Sequence, residues 1–324
     1  MSRRVPFRRL AFVATLVGGG ALLTPRAADA QRVHVLAVSG LSGEPAYKLL
    51  FESNLATLVD SARARWHVSD SSLFVLTEDP ATPRLHATGR STKEEIAKSF
   101  LALSHRVSAG DIVFVFLVGH GSGEGADSRV SLPGPDATAA DFAGWLAGFP
   151  RQTVVLVNAA SGSGDFVGVL AGPKRLIVTA TRTALERNES RFATPFVRGL
   201  TSGEADADKD GKVSVLEAFA YAKKEVARVY DTDNKMLTEH ASLSDSALAR
   251  SVSFGAQRGE SAPLNPRAAA LVAERSELEA KVAALRGKKE SMPPAAYEAE
   301  LERLLVQVAE KSQAIRALGP GGGQ

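Results

Sequence analysis

The segment "DADKDGKVSVLE", Asp206 to Glu217, places oxygen-bearing side chains at alternate positions of a twelve-residue stretch. Asp206, Asp208 and Asp210 stand at positions 1, 3 and 5. Gly211 at position 6 permits a sharp turn, and Val213 at position 8 is the expected apolar residue. Lys212 at position 7 offers its carbonyl, Ser214 stands at position 9, and Glu217 at position 12 can bind through both carboxylate oxygens. Hard oxygen donors at this spacing are what Ca2+ takes, because alternate residues of the loop turn inward around one ion. The helical stretch "VLEAFAYAKKEVARVY" follows, as the pattern requires. A second loop is not evident: "DTDNKMLTEH" (231–240) begins in the same way but has Met236 where the glycine belongs.

Two further groups end apolar runs. "VFVFLV" leads into "GHGSGEG", where His120 could serve as a general base and the Gly121 amide could donate to a developing oxyanion. A phosphate cradle is excluded, since the glycines fail G-x-G-x-x-G in every register and "SRVSLPG" after them reads as strand. "TVVLV" leads into Asn158, Ala159, Ala160, Ser161, Gly162, Ser163 and Gly164. Ser161 and Ser163 are hydroxyl nucleophiles that His120 could activate. The turn lacks the G-x-S-x-G elbow, and the alternative is that both serines cap amides of the helix that follows.

These residues need a scaffold of alternating strands and helices. Strands are predicted at 33–38, 73–77, from Asp111 toward His120, at 153–158 and at 175–181. Helices are predicted at 44–66, from a Ser91–Glu94 capping box onward, at 138–149, and after the metal loop. The strands around 112–118 and 153–158 are apolar on both faces, as central parallel strands are. The pattern predicts an α/β domain with a mostly parallel sheet, whose crevice lies beyond the strand C-termini. After Ala262, "PLNP" marks a linker over 256–267. Residues 268–318 carry Ala, Leu, Glu and Lys at helical period, broken by "MPP". They predict a helical hairpin that closes the domain or self-associates, before a disordered tail at 319–324.

The order of these blocks resembles the legumain and caspase clan of cysteine peptidases, closest to the legumain-like branch. The residues that carry the resemblance are His120-Gly121 after one apolar strand and the turn 158–164 after the next, within about 33–200. "RLIVTATRTALERNESRF" is similar to the strand that borders the clan's substrate groove. The resemblance implies a caspase-like three-layer sandwich over 31–255, with the loop 206–217 as an EF-hand insertion. It also implies that the nucleophilic cysteine falls at Ala160, beside the retained His120 and Gly121. A basic pocket residue of the family falls loosely at Lys48.

Residues 1–30 are expected to be a secretory signal peptide: "MSRRVPFRR" is basic, "LAFVATLVGGGALL" is apolar but short, and "ADA" ends at Ala30. Five of the 39 bases and one of the 36 acids lie there, so residues 31–324 carry a net −1 and the overall +3 argues for no nucleic-acid partner. The 324 residues contain no cysteine, which excludes thiolate chemistry, disulfides and lipid attachment. The reading is therefore an exported, periplasmic or extracellular, calcium-binding protein without a membrane span in its mature form. Its peptidase site has lost its nucleophile and serves as a peptide- or partner-binding module. Two rivals are a hydrolase using Ser161 or Ser163 with His120, and a calcium-rigidified envelope protein.

Overall fold

The structure, a computed structural model, describes residues 31–208, 210–254, 266–286 and 291–317. The leader, most of the segment read as linker and the tail from 318 lie outside the described residues.

In chain order the strands are β1 (Val33–Ser39), β2 (Leu73–Thr77), β3 (Gly89–Arg90), β4 (Ile112–Val118), β5 (Gly121–Ser122), β6 (Arg129–Val130), β7 (Ala137–Thr138), β8 (Thr153–Asn158), β9 (Arg175–Thr179) and β10 (Ser242–Leu243). The helices are α1 (Pro45–Ala64), α2 (Lys93–Ser104), α3 (Ala139–Leu146), α4 (Phe166–Leu170), α5 (Ala193–Ser202), α6 (Val215–Thr232), α7 (Ser246–Ser251), α8 (Pro266–Arg286) and α9 (Pro294–Ala317).

Seven strands form one sheet in the order β10-β9-β8-β4-β1-β2-β3. All pairs are parallel except the edge pair β9–β10. β4 is buried at all seven positions, which explains its unbroken apolar run. Side chains alternate between faces. Val35, Phe114, Phe116, Val155 and Val178 pack with α1, α5 and α6 in one cluster. Leu36, Val113, Val115, Leu156 and Ile177 pack with α2, α3 and α4 in another. Each fully buried Leu, Val or Phe contributes about 1.5–3 kcal/mol of transfer free energy, so these two layers dominate the stability of the sheet.

Several boundaries differ from the sequence reading. The cap of α2 is Thr92, whose side chain accepts from Glu95 N, and not Ser91. The Ser91 amide is drawn instead to Thr77 O at 2.7 Å, which holds that residue at the sheet edge. β9 stops at Thr179, where its side chain turns back to Thr181 O. α8 begins at Pro266, inside the segment read as linker. A small antiparallel sheet, β5-β6-β7, also crosses the region read only as one strand.

Candidate functional site

The strand order reverses between β1 and β4: the chain moves from β1 outward to β2, and from β4 outward to β8 on the other side. Crevices of parallel sheets open at that switch point, beyond the C-terminal strand ends. The two turns meet there. Gly40, just after β1, donates to Val118 O at 2.8 Å, and His120 follows β4 by two residues.

His120 is held by both ring nitrogens. Nδ1 lies 3.1 Å from Glu189 Oε2, and Nε2 lies 3.0 Å from Ser42 O. Ser42 is itself fixed, its amide and hydroxyl donating to the Glu78 carboxylate. The Tyr47 and Phe51 rings stand edge-on to the imidazole at 5.3 and 5.6 Å between centroids. Both hydrogen-bond partners are acceptors, so the geometry favours a proton on each nitrogen. The Glu189 carboxylate, then the Ser42 carbonyl, hold the His120 pKa above its ordinary value against the opposing effect of burial.

The turn after β8 lies beside this loop. Ala159 donates to Leu117 O at 2.8 Å, and the Asn158 side chain accepts from the Ala160 amide at 3.1 Å. Ala160 is fully buried. Gly121 packs so closely that a Cβ there would stand 2.5 Å from Ser161 O and 3.6 Å from the Ala160 methyl. The Gly121 amide donates to Ser161 Oγ at 3.3 Å, so in this arrangement it is committed and does not point at an empty oxyanion position. Ser163 Oγ meets Thr181 Oγ1 at 3.4 Å. Neither hydroxyl caps α4, which has no side-chain cap; the serines bind neighbouring loops instead. Thus His120, Gly121, Ala160 and Ser161 converge as one neighbourhood, while the His120 nitrogens face Ser42 and Glu189.

A cavity of about 490 Å³ adjoins the His120–Glu189 pair, lined in part by Tyr47, Phe51, Val118, Glu189, Arg191 and Val229. Glu189 and Arg191 lie in the segment between β9 and α5, not on a strand. Lys48 is not part of this lining; it pairs with Asp79 at 3.0 Å on the other side of α1.

The acidic loop forms the second site. Ligand oxygens of Asp206, Asp208 and Asp210 all lie within 4.8 Å of one another. Gly211 has φ +86°, a left-handed turn that a residue with a side chain adopts only with strain. Its amide donates to Asp206 Oδ2, and the Asp210 amide donates to Asp206 Oδ1, each at 3.1 Å. The Lys212 amide donates to Asp210 Oδ1 at 2.8 Å. Burial, followed by the charges of Asp210 and Glu217, pushes the Asp208 carboxyl up. Glu217 and Ser214 form the capping box of α6, and Glu217 Oε1 reaches across the loop to the Ala207 amide at 3.0 Å. Ser214 therefore acts as a cap here, its hydroxyl donating to Glu217 and accepting from the Glu217 amide. An antiparallel bridge joins Ser214 to Ser253, and Val215 N donates to Val252 O at 2.9 Å. The short segment after α7 thus takes the strand position beside the loop, a partner that sequence reading missed. A cavity of about 720 Å³ opens on this loop and on the outer face of α6.

No helix among the described residues is long and apolar enough to cross a membrane. No protein-family model and no curated protein matches the chain. Among solved structures it is similar to protein GSU0716 from Geobacter sulfurreducens, with 12% identity, 69% of this chain and 94% of that chain covered, and a TM-score of 0.39. A likeness that distant leaves both sites to be read from their own chemistry.

Proposed function

We propose that this chain is an exported calcium-binding protein on a caspase-like α/β scaffold whose peptidase centre lacks a nucleophile. The observation that carries the calcium reading is the convergence of Asp206, Asp208 and Asp210 around the turn at Gly211. The donor set is all oxygen, with no imidazole or thiolate, which suits a hard cation and not a transition metal. Asp206, Asp208, Asp210 and Glu217 would supply carboxylates and Lys212 its carbonyl. Position 9 of such loops often acts through a water, which leaves Ser214 free to keep capping α6. Glu217 would exchange its contact with the Ala207 amide for the ion.

The second part of the reading concerns the switch-point crevice. A residue serving as general base needs an unprotonated nitrogen turned toward its nucleophile. His120 has both nitrogens engaged by acceptors, and the position of the family thiol is the Ala160 methyl. The cavity beside Glu189 and Tyr47 then holds a peptide or protein segment without cleaving it. The basic, apolar and "ADA" series of the leader supports export, and the lack of cysteine is compatible with it.

Calorimetric titration with Ca2+ tests the central claim. A binding heat that disappears in Asp208→Asn supports it. No heat across the millimolar range typical of weak extracellular sites removes it.

A further inference from the structure

The two C-terminal helices have an apolar cluster of their own. Val282, Leu285, Tyr297 and Leu304 are buried in it, and Leu278, Met292 and Leu301 pack against them. None of these residues belongs to either cluster that flanks the sheet. Hydrophobic burial ties α8 to α9, and among the described residues a polar contact reaches from the pair to the α/β body. That contact lands on the acidic loop. Arg275 of α8 approaches Asp210 Oδ2 at 3.5 Å, with the two side chains only 16% and 21% exposed.

An arginine suits that position. The loop gathers three carboxylates, with Glu217 close behind, and a guanidinium supplies positive charge at low dehydration cost. Asp210 is also the residue at position 5 of the metal loop. The same carboxylate thus faces a cation from the helix pair and belongs to the proposed ion's donor set.

We propose that a divalent cation and the C-terminal helix pair compete for this loop, so that ion binding displaces Arg275 and undocks α8 and α9 from the α/β body. The inference rests on the calcium reading above and gives that site an output. A dication held by Asp206, Asp208 and Asp210 cancels the charge that attracts Arg275 and repels the guanidinium at short range. The effect is reciprocal by linkage: the factor by which the ion weakens docking is the factor by which docking weakens ion binding. An ion pair of this kind places that factor at the lower end of the usual range, roughly fivefold. The released pair would present α8 and α9 to a partner, which makes it the part of the molecule that reports calcium.

The full chain can be tested directly, because it has no cysteine to compete with introduced labels. Spin labels at Leu101→Cys, which is 61% exposed on α2, and at Glu298→Cys, exposed on α9, report the position of the helix pair. Calcium should lengthen and broaden the distance between them. Arg275→Gln should produce the broadened distribution without calcium and bind Ca2+ roughly fivefold more tightly. Arg275→Lys should keep the helix pair docked. Equal calcium affinity in wild type and Arg275→Gln, with label distances that ignore calcium, overturns the competition and leaves the calcium site standing. Weaker calcium binding in Arg275→Gln also overturns it, since Arg275 would then assist the ion. Absence of calcium heat in both proteins removes the calcium reading itself, and this inference with it.

Discussion

His120 Nδ1 and Glu189 Oε2 are 3.1 Å apart, across the mouth of the switch-point crevice. With Ser42 O accepting at the other nitrogen, this pair stabilises the imidazolium, and Glu44 adds attraction. The folded pKa therefore lies above the free value of about 6.5. The stabilising contribution is complete below that value and is lost as pH rises through the folded pKa. An NMR titration of the His120 ring should give a midpoint above about 6.5, and Glu189→Gln should bring it down. A wild-type midpoint below the free value would show that the pair does not hold the charged ring.

The same geometry bears on catalysis. Purified protein should release nothing from peptides cut after Asn or Asp, with or without calcium. Ser161→Ala and Ser163→Ala should leave that baseline unchanged. Ser161→Ala should instead cost stability, about 1 kcal/mol, because the part-buried Gly121 amide loses its acceptor. Turnover in the wild type that disappears in Ser161→Ala would establish the serine hydrolase instead.

What could be read in advance followed the range of the interactions. β2 and β8 stand where their apolar runs predicted, and β1, β4 and β9 within a few residues at an end, because strands buried on both faces carry an unmistakable composition. β3, β10 and the β5-β6-β7 ladder have two residues each, too few for any period to show. The acidic loop was legible because its candidate ligands fall within twelve residues. Its bridge from Ser214 to Ser253 was not, since nothing local marks a segment as its partner. Glu189 escaped notice for the same reason: the fold, and no spacing rule, brings it to His120. At the start of α2, Ser91 and Thr92 are equally able caps, and the sheet contact of the Ser91 amide decides between them.

Gly121 offers a test of how tightly the two turns are joined. A Cβ on it would stand 2.5 Å from Ser161 O and 2.8 Å from Arg129 O. Both are backbone atoms, so no side-chain rotation relieves the contact. Gly121→Ala should destabilise the protein by on the order of 1–3 kcal/mol in denaturant unfolding. Gly144→Ala, in α3 with nothing near its added methyl, should stabilise by roughly 0.5–1 kcal/mol. Equal effects from the two substitutions would contradict the close apposition of the turns.

Calcium should raise the melting temperature. A ligand that binds only the folded chain stabilises by about 2.7 kcal/mol at a hundredfold excess over its Kd. For a chain of this size that corresponds to a shift of about 4 °C. Magnesium at equal concentration should do much less, because it demands a tighter octahedral shell. The variant has to be chosen with care. Glu217 is the N3 half of the capping box of α6 as well as facing the loop, so Glu217→Ala removes the acceptor of the Ser214 amide, a hydrogen bond worth about 1 kcal/mol, and lowers melting before any calcium is added. Glu217→Gln retains a side chain that completes a capping box but loses the charge and the bidentate carboxylate. Its melting temperature without calcium should stay near that of the wild type, and its calcium-induced rise should be largely lost. If scanning calorimetry finds the same rise in wild type and Glu217→Gln, the ion is held elsewhere; if it finds none in either, the acidic loop is a structural turn and not a calcium site.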